Sequence, residues 1–170
     1  MDLANTGISN KGLIETAAIK ELEGLEPEAK GITDAGLTAL NNTKSLVYLR
    51  LDGTAVSDGG MQTIGSMTQL SSLFLKGVGI TDKGLLLLRE LVYLRDLGFS
   101  DTAISDAGLN HLRKLVQLKD LDLNGARVGD ADLIQLLPLA NLEELELSCT
   151  AVTDKGLMQL SSFPVLDELG

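Results

Sequence analysis

Apolar residues recur along this chain at one fixed interval. A column of β-branched residues consists of Ile8, Ile32, Val56, Ile80, Ile104, Val128 and Val152. Consecutive members lie 24 residues apart, since 32 − 8 = 24 and 152 − 128 = 24. Two leucine columns keep the same interval: Leu25, Leu49, Leu73, Leu97, Leu121, Leu145 and Leu169, and Leu22, Leu46, Leu70, Leu94, Leu118, Leu142 and Leu166. Such a period indicates one supersecondary unit that is copied and stacked, because a single unit cannot bury its own apolar face.

Within one unit the pattern of apolar positions changes from a strand period to a helix period. The stretch 49–51 alternates between apolar and polar residues, which is typical of a strand. After it, Met61, Ile64, Met67 and Leu70 are spaced by three, which is typical of a helical or 3₁₀ stripe. The pattern therefore predicts a short strand, a turn and a short helical segment in each unit.

The turn before each helical segment has its own polar pattern. Ser or Thr followed by Asp precedes the apolar run at Thr33-Asp34, Ser57-Asp58, Thr81-Asp82, Ser105-Asp106 and Thr153-Asp154. These side chains are expected to cap the free N–H groups at the start of their own helix. A glycine follows two residues later, at Gly36, Gly60, Gly84, Gly108 and Gly156, whereas one unit departs with Gly129 and Asp132. We interpret the glycines as positions of close packing between neighbouring coils.

These motifs resemble a known repeat family. The spacing of Leu46, Leu49, Leu51 and Thr54 is similar to the leucine-rich repeat consensus, and the segment 80–85, ITDKGL, resembles the repeats of F-box leucine-rich proteins and of bacterial repeat proteins. The resemblance implies an α/β leucine-rich repeat solenoid with 24-residue units. It implies a parallel sheet on the concave side and short helices or 3₁₀ turns on the convex side. It also implies a scaffold that binds proteins, in line with the varied use of this fold.

The domain organisation follows from length and from irregularities near the start. Residues 1–170 are expected to form a single leucine-rich repeat domain, with 1–30 as an irregular N-terminal cap. Pro27 lies in the Leu51 column, where it removes a ladder N–H, and residues 12–25 are predicted to form a longer helix. Threonines recur in alternate units, where they are expected to bond backbone groups at the strand exits: Thr6, Thr54, Thr102 and Thr150.

Charge and composition narrow the classes of partner. The net charge of −10, from 24 acidic and 14 basic residues, argues against nucleic acid or an anionic membrane surface and favours basic partners. No apolar run approaches the ~20 residues needed to span a bilayer, and the N-terminal segment lacks the pattern of a secretory signal. The single cysteine, Cys149, cannot form an internal disulfide. A reducing, cytoplasmic setting is therefore expected.

The residues capable of chemistry do not form a catalytic group. His111 is the only histidine, and its position predicts a solvated place in a helical segment, far from Cys149. A Cys–His nucleophile pair is therefore not expected, and Cys149 is interpreted as a free thiol. Asp130 and Asp132 lack the further oxygen ligands that a Ca²⁺ site needs. We predict no catalysis, no cofactor and no metal site.

The outward positions of the strands predict two adjacent surface patches. Side chains alternate along a strand, and parallel strands bring equivalent positions of neighbouring units about 4.8 Å apart. One patch is mixed and consists of Tyr48, Arg50, Phe74 and Lys76. The other is acidic and consists of Asp96, Asp120, Asp122, Glu144, Glu146 and Glu168. Like charges about 4.8 Å apart repel by roughly 0.9 kcal/mol even at the dielectric constant of water, and Arg95 and Lys119 are expected to offset part of this repulsion.

These patches favour protein recognition through the concave face. Tyr48 and Phe74 are predicted to be apolar anchors, Arg50 and Lys76 to face acidic groups, and the acidic columns to steer a basic segment. The alternative for the acidic columns is a solvated face that keeps the sheet soluble. The alternative for Tyr48, Arg50 and Phe74 is ordinary cross-strand packing. Two other functions stay open: the substrate-recognition domain of a ubiquitin ligase or other multidomain protein, and a structural spacer. The oligomeric state stays open too, since open ends of the solenoid suit either a longer array or pairing with another chain.

Overall fold

The chain forms one parallel sheet. The computed structural model describes residues 7–27, 29–131 and 133–170, and within these ranges seven strands lie side by side in sequence order. They are β1 (Gly24–Leu25), β2 (Tyr48–Arg50), β3 (Ser72–Phe74), β4 (Asp96–Gly98), β5 (Asp120–Asp122), β6 (Glu144–Glu146) and β7 (Glu168–Leu169). Paired residues such as Leu49 and Leu73 differ by 24 (73 − 49 = 24). The predicted α/β repeat solenoid is confirmed, and the register agrees with the 24-residue unit.

Short helical segments connect the strands. The α-helices are α1 (Asn10–Thr16), α2 (Asp34–Leu37), α3 (Met61–Ile64), α4 (Asp82–Leu85), α5 (Asp106–Leu109) and α6 (Asp154–Leu160). Stretches of 3₁₀ helix cover Thr38–Asn42, Leu86–Leu88, Asn110–Lys114 and Leu133–Leu136. Helices of four residues are not stable alone. They persist here because each packs against the helical segments of the neighbouring coils and against the leucine core.

The core lies between the sheet and the helical segments. The middle residues of β2 to β6 are completely buried: Leu49, Leu73, Leu97, Leu121 and Leu145. Each fully buried leucine contributes about 1.5–3 kcal/mol. Leu169, in the same column, is 48% exposed because β7 has a neighbouring strand on one side only in the described chain.

A ladder of carboxylates on the helical side joins successive coils. Asp58 accepts hydrogen bonds from the backbone N–H of Thr81, at 2.8 Å, and from its hydroxyl, at 2.7 Å. The same pair of bonds recurs from Asp34 to Ser57, from Asp82 to Ser105 and from Asp130 to Thr153. The expectation that these aspartates cap their own helices was therefore wrong. Stacking of the coils brings the residue 23 positions ahead within hydrogen-bond distance of each carboxylate, as Thr81 is of Asp58.

The predicted hydroxyl caps form only in some coils. Thr81 and Thr153 accept bonds from the N–H groups of Lys83 and Lys155, each at 3.3 Å, whereas Thr33 makes no side-chain cap. The same two hydroxyls also donate to the aspartate ladder, each at 2.7 Å, and these shorter bonds are the stronger ones.

The repeated glycines make room for this ladder. A Cβ built on Gly60 would lie 2.7 Å from Oδ1 of Asp34, and one on Gly84 would lie 2.6 Å from Oδ1 of Asp58. Equivalent contacts occur between Gly36 and Asn10, Gly108 and Asp82, and Gly156 and Asp130. Close packing between coils was predicted at these glycines, and the group packed against each one is the side chain at the ladder position of the preceding coil.

The alternating threonines bond the backbone as predicted. The hydroxyls of Thr54, Thr102 and Thr150 donate to carbonyls three residues earlier, at 2.7, 2.7 and 2.6 Å. Thr6 lies outside the described residues. The bonds satisfy strand-exit carbonyls that lie inside the solenoid, where water has little access.

The first coils are irregular, as expected. The bounds of the longer helix predicted over residues 12–25 were wrong. Helix α1 begins at Asn10 and ends at Thr16. Residues 17–23 form turns and extended chain, and β1 begins at Gly24. β1 is one residue shorter than β2, in keeping with Pro27, which cannot donate a ladder hydrogen bond. The role of residues 1–30 as a cap stays a prediction.

Candidate partner-binding face

The candidate site is the sheet face, which we define as the side of β1 to β7 opposite the buried leucines. It carries the first residue of every strand and the third residue of β2 to β6, because side chains alternate. The register places Tyr48 beside Ser72 and Arg50 beside Phe74. It aligns one acidic column, Asp96, Asp120, Glu144 and Glu168. Asp122 and Glu146 form a second, parallel pair.

The aromatic residues and Arg50 form a preassembled cluster. The rings of Tyr48 and Phe74 lie 5.8 Å apart at their centroids and are tilted by 47°. The guanidinium carbon of Arg50 lies 4.5 Å from the centroid of Phe74, which is a cation–π distance. Nε of Arg50 also donates to the hydroxyl of Tyr48 at 3.1 Å. Mutual contacts limit the rotamers of these three side chains, so a partner would meet a surface with little flexibility left to lose.

Both cations of the mixed patch already have carboxylates nearby. Arg50 lies 3.9 Å from Glu26 and 3.7 Å from Asp52, and Nζ of Lys76 lies 3.6 Å from Asp101. All these side chains are partly exposed, so each pair contributes at most about 1 kcal/mol. The mixed patch is therefore close to neutral, and its strongest features are the two rings.

The acidic columns contrast with the mixed patch because they carry no counter-charge. None of their carboxylates takes part in an ion pair within the described chain. They accept hydrogen bonds from neutral groups instead. The hydroxyl of Ser72 donates to Asp96 at 2.5 Å, Ser100 donates to Asp122, and the amide of Asn124 donates to Glu146 at 3.2 Å.

Crowding shifts the titration of the central carboxylate. Burial and the charges of Glu144, Asp96, Asp122 and Glu146 raise the pKa of Asp120 to about 6. Burial, followed by the charges of neighbouring acids, also raises the pKa of Glu144. Both shifts have the sign expected for like charges on adjacent strands.

The expected relief by neighbouring bases is not seen at Lys119. Its ammonium lies 2.5 Å from Glu143, one strand away, and not beside Asp120. Lys119 and Glu143 immediately precede the first strand residues, Asp120 and Glu144. Because side chains alternate, Lys119 and Glu143 point away from the sheet face. The pair therefore leaves the acidic columns uncompensated.

A groove of about 380 Å³ crosses the sheet face near the strand exits. The predicted residues Arg50, Phe74, Lys76 and Asp122 border it. Sequence reasoning missed Ser100, Asp101, Asn124, Ser148 and Cys149, which border it as well. Extending the strand alternation by one more step, from positions 98 and 122 to 100 and 124, would have found two of them.

The histidine and the cysteine with reactive side chains lie on different sides of the fold. His111 is part of the 3₁₀ segment on the helical side, whereas Cys149 is an exposed thiol in the turn after β6. Asp130 belongs to the ladder, and the bonds from the side chain and the backbone of Thr153 lower its pKa. Among the described residues no group of His, Cys, Asp and Glu could hold a metal ion. Within the same part of the chain, no helix combines the length and hydropathy of a membrane span.

Comparisons with known proteins agree with this geometry. A family model described as a leucine-rich repeat matches residues 139–161. The chain is similar to the structure of an internalin from Listeria monocytogenes, with 25% identity and a TM-score of 0.67 over 96% of this chain and 51% of that one. It is also similar in fold to a leucine-rich repeat protein of Leptospira interrogans, with 20% identity and a TM-score of 0.68 over 91% of this chain and 38% of that one. Among curated proteins no sequence matches.

The chain thus spans about half the length of the internalin and less of the Leptospira protein. Leucine-rich repeat proteins are generally interaction scaffolds and typically lack enzymatic activity. The repeated strand motif, the parallel sheet and both structural neighbours agree, and this chain has the leucine-rich repeat fold.

Proposed function

We propose that this chain recognises a protein through the sheet face and that the partner presents a basic segment in extended conformation. The observation that carries the proposal is the pair of acidic columns, which lie on adjacent strands without counter-ions in the described chain. A partner's lysines or arginines would replace repulsion between these carboxylates with attraction. Such complementarity raises the association rate and selects partners by charge.

The aromatic cluster supports the same proposal. Tyr48 and Phe74 lie at one end of the acidic columns and are held in place by Arg50. Aromatic residues are enriched among the residues that dominate binding energy. A partner that covers both regions would gain apolar contact at β2 and β3 and charge pairing from β4 to β7. We further propose that the chain has no catalytic activity of its own, and a cytoplasmic setting stays a prediction.

A displayed library of extended peptides of both charge signs tests this function. We expect enrichment of basic peptides and binding that weakens between 50 and 500 mM salt, because the Debye length falls from roughly 14 Å to 4 Å. Glu144→Lys should abolish the enrichment, whereas Glu15→Lys, with the same charge change on the exposed side of α1, should preserve it. Enrichment that survives Glu144→Lys, or an absence of charge preference, would contradict the proposal and favour the structural spacer.

The substrate-recognition domain of a ubiquitin ligase stays an alternative drawn from the sequence alone. It shares the mode of binding proposed here and differs in what the rest of a longer protein would do. The peptide experiment therefore applies to both.

A further inference from the structure

One position on the sheet face has no side chain, and it lies between the two patches. Gly98 ends β4, with Phe74 beside it on β3 and Asp122 beside it on β5. The two flanking positions are two strand spacings apart, or roughly 9.6 Å. The Gly98 backbone between them is buried, and the Phe74 ring leans over it. This interval lies within the groove described above.

The walls of this interval differ in chemistry. On one side, the edge of the Phe74 ring leans toward Gly98, so that a Cβ built there would lie 3.0 Å from its Cδ1. On the other side, Asp122 is held by Ser100 and by the backbone N–H of Asn124, which donates at 2.9 Å. These bonds fix the carboxylate and leave it without an ion-pair partner in the described chain.

The cations near the groove do not cancel this charge. Arg50 lies against Phe74 and is paired with Glu26 and Asp52, and Lys76 is paired with Asp101. Beyond Asp122 the sheet face continues as the acidic columns. The potential therefore becomes more negative from the Phe74 side of the groove to the Asp122 side.

We propose that the groove over Gly98 is a pocket for one lysine or arginine side chain of the partner. Its aliphatic stem would lie along the Phe74 ring that covers Gly98, and its charged head would meet Asp122. A long basic side chain has this division into an apolar stem and a cationic end. The groove volume of about 380 Å³ lies toward the lower end of the roughly 300–1,000 Å³ of ligand pockets. The inference rests on the proposed function and assigns it a specificity pocket.

Small-molecule probes can measure the contributions of the aliphatic stem and of the charged head separately. Backbone amide shifts of the ¹⁵N-labelled chain would be followed with N-acetyl-arginine methylamide and N-acetyl-lysine methylamide. The citrulline analogue is the neutral isostere of the arginine probe, and guanidinium chloride is the head alone. We expect saturable shifts centred on Gly98 and Asp122 with the arginine or lysine probe, and affinities weaker by at least about fivefold for the other two.

Substitutions of residues in the groove test the same proposal from the side of the protein. Gly98→Val should abolish saturation, because its side chain would push the Phe74 ring into the groove. Asp122→Asn should weaken the binding by about fivefold or more. Gly98→Ala is the smaller change, since its Cβ would lie 3.0 Å from Cδ1 of Phe74, and its effect should be weaker than that of Gly98→Val. Glu168→Gln removes an acid of the same face on β7 and should change the affinity by less than about twofold.

The outcomes distinguish this inference from the proposed function. If guanidinium acts like the arginine probe, or if Gly98→Val binds like the parent chain, the pocket is refuted while charge-selective peptide binding can still hold. If the arginine or lysine probe saturates at Gly98 but no basic peptide is selected, the pocket stands and the proposed function fails.

Discussion

Replacing Asp120 with asparagine is expected to stabilise the chain at pH 7. The pKa of its carboxyl rises from 3.8 to about 6 in the folded chain, through burial and the acids around it. The folded chain therefore binds this proton more tightly than the unfolded chain does. Its contribution to stability is fully present below pH 3.8 and is lost as the pH rises through about 6. Asparagine carries no charge at any of these pH values, so the variant avoids this loss of stability.

The magnitude follows from the same shift. A change of about two pKa units corresponds to about 3 kcal/mol. Solvent screens this partly exposed side chain, so we expect a realised gain of about 1 kcal/mol for Asp120→Asn at pH 7. At pH 5 the folded carboxyl is already mostly protonated, and the gain should fall to about half. That pH also stays above the isoelectric point of about 4.5, where low net charge promotes association.

Urea unfolding followed by circular dichroism measures this effect through the transition midpoint and the slope of the transition. The matched control is Glu143→Gln, which also removes one negative charge. Its carboxylate is paired with Lys119, so the control should lose up to about 1 kcal/mol. If Asp120→Asn were neutral or destabilising at pH 7, or if both variants behaved alike, the inferred repulsion on the sheet face would be refuted.

Three further changes address the bonds that join the coils, each measured by the urea midpoint. Asp82→Ala removes two charge-assisted bonds to Ser105 and should cost about 2 kcal/mol; a loss below about 0.5 kcal/mol would show that water replaces them. Gly108→Ala places a methyl group against the carboxylate of Asp82 and should cost about 1–3 kcal/mol. The cost should be smaller in the Asp82→Ala background. Gly79→Ala is the control, because a Cβ there would lie 3.4 Å from its nearest atom. Thr102→Val removes a buried hydroxyl bond and should cost about 1 kcal/mol; no change would contradict a stabilising role for it.

The architecture could be predicted because it depends on the repeat alone. Once the period is known, alternation decides which residues face outward, and the acidic columns lie where the sequence predicts them. The aspartate ladder could not be deduced in the same way. A Ser/Thr-Asp pair before a helix is compatible with a local cap and with a bond to the next coil, and only the distance between coils decides which forms.

The groove was missed for a different reason. Sequence reasoning followed the outward residues of the strands, whereas the groove is also bordered by residues of the turns that follow β4, β5 and β6. Arg50 was predicted to face acidic groups of a partner, and the structure places it against Phe74 and beside Glu26 and Asp52. Which of two nearby carboxylates a long side chain reaches depends on rotamers, which a sequence pattern does not record.

The carboxylates on the two sides of the sheet act on stability in opposite directions. On the helical side, bonds from the side chain and the backbone of Thr153 lower the pKa of Asp130 and so favour its charged form. That contribution is present above the unfolded pKa and is lost as the pH falls through the folded one. On the sheet face, crowding raises the pKa of Asp120, so charge there weakens the fold near neutral pH. Repeating Asp on the helical side is explained by the connection it makes between coils. On the sheet face, Asp96, Asp122 and Glu146 also accept bonds from neighbouring coils. The charges of Asp120 and Glu144 are disfavoured by burial and by the acids around them, and a basic partner is the condition under which these charges become favourable.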